Sequence, residues 1–169
     1  LDTQAILEVA NICTQHDFSL TIRGSGTGNY GQCVPLEGGA VMLMDSINNI
    51  RNYDPKTGIV TVESGCLLRD LNDFLFRQNR QLKLVPSSWR SASIGGFIAG
   101  GSGGIGSVRW GFLRDPGHLL ALEVITLQEP STKIQLDADK AEALNHAYGT
   151  NGIISALSIT TAPYVNWQE

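Results

Sequence analysis

Apolar side chains recur at helical spacing over residues 3–16, where Ile6, Val9, Ala10 and Cys13 share one face behind Asp2, a side chain suited to cap a first turn. The period then changes. Residues 19–23 and 41–45 read as short apolar strands, with a loop over 24–32 after the first. Residues 51–53 and 59–63 flank Asp54-Pro-Lys-Thr-Gly58, with proline and glycine where turn chemistry wants them, so this stretch reads as a hairpin. Residues 67–78 return to helical spacing, with Leu68, Leu71 and Leu75 facing inward. Glycine and serine dominate 87–118 and leave room only for a short helix near 94–99. Residues 119–127 and 133–136 read as strands, 139–147 as a helix and 153–161 as a last strand. No repeat is visible. Helices and strands mix without the regular alternation of a doubly wound sheet, so the fold class is α+β.

At 169 residues and 42% hydrophobic, the chain is one domain, or two small lobes, with enough apolar surface for a core. Its three cysteines, Cys13, Cys33 and Cys66, are odd in number and widely spaced, which encodes neither a disulfide framework nor a zinc site. A net charge of −4 argues against a nucleic-acid partner. Residues 91–108 carry no charge, but seven glycines and four serines make them too polar for a membrane span. No signal peptide opens the chain, Leu1 in place of Met reads as a processed or excised fragment, and the expected location is cytoplasmic. The charge distribution is more telling. All 16 acids avoid residues 18–36 and 74–114, and the second stretch holds six of the 12 basic residues. Both stretches contain the glycine clusters. A locally positive, glycine-rich surface suits an anionic ligand, since it offers attraction and close backbone approach together.

The first cluster, Arg23-Gly-Ser-Gly-Thr-Gly-Asn-Tyr-Gly-Gln32, matches the dinucleotide string at Gly26, Gly28 and Gly31. A Rossmann site also needs a helix to open there, and Cys33-Val-Pro-Leu-Glu-Gly-Gly39 cannot start one. Two readings survive: a concave nest of successive amides that binds an anion, helped by the Ser25 and Thr27 hydroxyls, or a plain strand-connecting turn. The second cluster runs from Ser93 to Gly106. Ser87 and Ser88 form no nucleophile elbow, so acyl transfer has no support. His16, His118 and His146 lie too far apart to suggest a metal and read as capping or surface residues. Arg114 and Asp115 read as a loop-fixing ion pair, and Trp89 and Trp110 as packing aromatics rather than ring-stacking ones.

Four motifs in order, Arg23-Gly-Ser-Gly-Thr27 with Gly31-Gln32, Ser93-Ile-Gly-Gly96, Arg109-Trp-Gly111 with Arg114-Asp115, and Gly149-Thr-Asn-Gly-Ile-Ile-Ser155, span nearly the whole chain. Together they resemble the PCMH-type FAD-binding domain of the vanillyl-alcohol oxidase family, which includes glycolate oxidases, D-lactate dehydrogenases and cytokinin dehydrogenases. Trp110, Ser155 and Asn151 depart from the usual pattern. The resemblance implies a fold of two α+β lobes with FAD between them, here residues 1–46 and 47–169. It implies that Gly24, Ser25, Gly26, Thr27 and Gly28 bind the pyrophosphate with Gln32 nearby. It also implies that Ser88, Ser93, Gly95, Gly96, Ala99 and Gly103 line the second loop around the diphosphate, ribityl chain and ring edge. Ile154 would hold the adenine end through its backbone. Arg23 either attracts the ligand or anchors the loop.

In such a family a cap domain supplies the substrate contacts, and this chain stops just past the closing motif. The cap is therefore expected to be missing and its facing surface to be apolar and prone to self-association. No catalytic residue and no metal are assigned. Thr27 stands where covalent members carry a histidine, residues 86–111 hold no Cys or His, and Cys33 lies past the loop, so FAD is expected to be held non-covalently. Two functions remain open: a flavin-dependent oxidoreductase acting on an alcohol or a 2-hydroxy acid of the glycolate or D-lactate kind, and a flavin- or nucleotide-binding module without catalysis.

Overall fold

The computed structural model describes residues 2–166. Helix α1 (Thr3–Gln15) starts where Asp2 accepts a hydrogen bond from the Ala5 amide at 2.8 Å, and it buries Ile6, Ala10 and Cys13 along one face. Strands β1 (Leu20–Arg23) and β2 (Ala40–Leu43) follow and pair in parallel. Next come the hairpin strands β3 (Ile50–Asp54) and β4 (Ile59–Glu63) and helix α2 (Leu68–Arg77). The hairpin turn is fixed by Asp54, whose carboxylate accepts from the Lys56 amide and the Thr57 hydroxyl, while Gly58 takes a φ of +72°. Strand β5 (Arg80–Gln81) leads to helices α3 (Ile94–Gly100) and α4 (Ser107–Trp110), and the chain ends through β6 (Leu119–Ile125), β7 (Lys133–Asp137), α5 (Ala138–Ala141), β8 (Ile153–Thr160) and β9 (Ala162–Pro163).

The main sheet has five antiparallel strands in the order β3-β4-β8-β6-β7. Its middle strand, β8, is buried over Ile153–Leu157, which explains its nearly unbroken apolar sequence. α2 and α3 cover the sheet with Leu68, Leu71, Leu75, Ile94 and Ile98. A second, smaller cluster joins Ile6 and Ala10 of α1 to Met42, Met44 and Ile47, and rests on Ile125 and Ile153. One polar knot ties the strands. Glu123, 8% exposed, accepts from Arg51 at 3.0 Å and from the Ser155 hydroxyl at 2.8 Å, and Arg51 also holds Glu63 at 3.1 Å.

The fold class is as expected, and three details differ from the sequence reading. The helix expected over 139–147 is only α5, capped by Asp137 rather than beginning at Asp139. Beyond it the chain leaves the helical path because the His146 and Tyr148 amides bond the Ile98 and Ala99 carbonyls of α3 instead of their own preceding turn. The two-residue strands β5 and β9, and the single turn α4, are too short to carry a period in sequence.

Candidate functional site

β1 ends at Arg23, and the loop behind it faces α3 and the turn that precedes β8. An open cleft of about 370 Å³ lies between these three pieces. Gly24, Ser25, Gly26, Thr27, Gly28 and Gln32 line one side. Ser88, Ser93, Gly95, Gly96, Ala99 and Gly103 line another, and Ile154 reaches in from β8, where it pairs with Val124. All the expected site residues therefore meet at one cavity. Ser64, Tyr30, Cys33 and Tyr148 line it as well, and no sequence motif singles them out as ligand contacts.

The cleft is uncharged. Among the described residues, no Asp, Glu, Lys, Arg or His lines it. The acid-free stretches thus keep carboxylates away, but the cations expected beside them point elsewhere. Arg80 bonds Thr161, Lys83 bonds the Gly117 carbonyl, Arg90 lies over Trp89, Arg109 over Trp110, and Arg114 meets His146 at 3.0 Å. Arg23 packs against its own loop: a β-carbon on Gly26 would come within 2.6 Å of the guanidinium.

The two glycine loops differ in what their amides do. In the first, none of the described residues accepts a hydrogen bond from the amides of Ser25, Gly26, Thr27, Gly28 or Asn29. Gln32 folds back to accept from the Tyr30 amide at 3.1 Å and closes the end of the loop. In the second, the donors at the start of α3 are already taken. Ile94 bonds Cys66 and Gly95 bonds Ser64, both at 2.8 Å, while Gly96 and Phe97 bond the Ser93 hydroxyl and carbonyl at 3.3 and 2.9 Å. Free amides gather partial positive charge at a concave turn, which gives the first loop the character of an anion cradle facing the wall formed by the start of α3. Glycine is required in that wall for contact with its neighbours: a side chain on Gly95 would strike Ser64, and one on Gly24 would strike Ser93.

Ser64 supplies an independent sign of a ligand. Its hydroxyl is buried, lines the cleft and has no hydrogen-bond partner. Sequence offers only the small run Ser64-Gly65-Cys66 as a hint; Gly65 is needed because a β-carbon there would strike the Met44 and Ile47 carbonyls. Cys33, expected beyond the loop, belongs to the cleft wall. By contrast, burial pushes the Cys66 thiol up to about 11, with nearby Asp70 and Glu63 adding to it, so it stays protonated and inert.

The isolated residues follow expectation only in part. His118 is buried and donates from Nε2 to the Trp110 carbonyl, the last of α4, at 2.6 Å, so it caps that turn from the interior and is not a surface group. Arg114 and Asp115 form no ion pair: Asp115 accepts from the Phe112 amide at 2.7 Å while Arg114 turns to His146. Trp89 and Trp110 do not line the cleft. Among the described residues, no cluster could hold a metal ion and no helix is long and apolar enough to cross a membrane.

Comparison with known proteins gives these features a context. The family of FAD binding domains matches residues 2–129. A D-lactate dehydrogenase of Anaerostipes hadrus is 26% identical over 166 residues, covering 95% of this chain and 35% of that protein. The GlcD component of glycolate oxidase from Bacillus subtilis is 32% identical over 124 residues, covering 73% of this chain and 26% of that protein. The mitochondrial D-2-hydroxyglutarate dehydrogenase of Danio rerio is 27% identical over 168 residues, covering 93% and 30%. An alkyldihydroxyacetonephosphate synthase structure superposes with a TM-score of 0.86 at 19% identity, over 96% of this chain and 33% of that one. This chain thus spans about a third of the length of such relatives.

Proposed function

This chain belongs to the FAD binding domain family, and from that premise we propose that the cleft holds FAD with its pyrophosphate on the free amides of the first loop. Those free amides carry the reading. Gly24, Ser25, Gly26, Thr27 and Gly28 bind the anion, with Gln32 beside them. Ser88, Ser93, Gly95, Gly96, Ala99 and Gly103 form the wall along the rest of the cofactor, and Ile154 contributes from β8. The fit is supported by the orphaned Ser64 hydroxyl and by an uncharged lining with no acid to repel phosphate. Residues 1–46 and 47–169 are assigned as the two lobes, the first resting through Ile6, Ala10, Met42 and Met44 on Ile47, Ile125 and Ile153 of the second.

FAD held there would supply hydride-accepting chemistry, and this chain's residues would bind, orient and shield it. With no acid or base on the cleft wall other than the Cys33 thiol and two tyrosines, the groups that poise substrate belong to a cap domain of the longer protein. We assign that protein to the oxidation of 2-hydroxy acids such as D-lactate, glycolate or D-2-hydroxyglutarate, on the names of its relatives. Exposed Ile105, Val108 and Phe112 suit a surface the cap covers, and they favour self-association without it. Free thiols suit a reducing, cytoplasmic setting. The flavin is held non-covalently: among the described residues no histidine lines the cleft, and its thiol, Cys33, stands past Gln32 rather than at the Thr27 position.

The test is direct. The purified chain, loaded with FAD, should show a bound-flavin absorbance spectrum and release all its flavin on acid precipitation; flavin left on the protein after denaturation refutes non-covalent binding. The cap-bearing protein should bleach anaerobically with one of the three hydroxy acids, and the isolated chain should not. A folded chain that binds no FAD overturns the reading.

A further inference from the structure

The turn between α5 and β8 carries unusual backbone. His146 and Tyr148 both take left-handed conformations, with φ of +63° and +54°. Non-glycine residues hold such angles only where their surroundings impose them. Here the imposing contacts are the bonds from their amides to the Ile98 and Ala99 carbonyls, at 3.1 and 2.8 Å. The result is to set one imidazole between two partners. Arg114 Nη2 lies 3.0 Å from His146 Nδ1, and His146 Nε2 lies 2.9 Å from the Tyr148 hydroxyl, on a residue that lines the cleft.

The chemistry of these partners fixes the direction of every proton. A guanidinium has donors only, so Nδ1 must accept and the imidazole proton must sit on Nε2. Nε2–H then donates to the tyrosine oxygen. The phenolic proton is left without a partner among the described residues. The opposite tautomer would set two donors against each other at Nδ1. From this we infer that Tyr148 is a cofactor-binding residue, its hydroxyl poised to donate to an acceptor atom of the bound dinucleotide, with His146 and Arg114 as the positioning residues that orient it. The inference rests on FAD as the occupant of the cleft.

FAD affinity, read by flavin fluorescence titration of this chain, tests it. Tyr148→Phe removes only the hydroxyl and should weaken binding about five- to tenfold, the worth of one hydrogen bond. His146→Asn keeps a side chain that tolerates the left-handed backbone but is too short to reach Tyr148, and should weaken binding to a similar degree. Two further variants separate orientation from packing. The double variant should be no weaker than Tyr148→Phe alone, and His146→Gln, which restores an N–H near the Nε2 position, should recover affinity to within about twofold of wild type. Thermal melting checks that each variant is folded. Unchanged affinity in Tyr148→Phe, or additive losses in the double variant, overturns the inference while leaving FAD binding in place. A folded wild-type chain without FAD binding overturns both.

Discussion

Gly26 shows how one residue serves a site without touching chemistry. Its φ of +69° lies in the left-handed region, and its missing side chain leaves room for the Arg23 guanidinium. A side chain here would meet that guanidinium and force a backbone conformation that L-residues rarely adopt. The expected outcome is severe: Gly26→Val should fold but retain no flavin, because the turn that aims the free amides is lost. Wild-type flavin content in the folded variant would show the loop geometry to be dispensable. Sequence makes this position legible through the density of glycine directly after a strand. It does not reveal Ser64, whose importance arises from burial without a partner, nor Tyr148, which needs a histidine and an arginine from elsewhere to acquire a direction.

Between elements, the decisive polar contact is Glu123. Burial works against its ionisation, but the Ser155 hydroxyl, the Arg51 guanidinium and Lys133 outweigh it and hold the carboxyl below its ordinary range. A depressed folded-state pKa gives stability that is present above the unfolded value and is lost as pH falls through the folded one. Glu123→Gln should therefore cost about 1–3 kcal/mol at neutral pH, and the gap to wild type should close as pH drops below about 4. Urea unfolding at both pH values checks this; an equal gap at both would assign the loss to packing. The strands that bear these groups are legible from their apolar periods, as is α1 from its cap and stripe. The short α5 is not, because the chain past Asn145 is turned by bonds from the His146 and Tyr148 amides to α3 that no local period encodes.

For the whole molecule, the segregation of charge is visible in sequence but its meaning is not. Two acid-free stretches meet at the cleft, yet no basic side chain within them lines it. Recognition of a dianion by backbone dipoles, with no mobile cations at the surface, should be nearly indifferent to screening. FAD affinity should change less than about threefold between about 50 and 500 mM salt, whereas a tenfold fall would mean that surface cations recruit the ligand. The contrast between the two glycine loops has a kinetic counterpart in hydrogen exchange. Ligand-free, the amides of Ser25 to Asn29 should trade protons for deuterium almost as fast as an unstructured peptide, since nothing in the described chain engages them. Those of Ile94 to Phe97 should be slow from the start, being bonded already. Adding FAD should then retard the first set by orders of magnitude and leave the second almost unmoved.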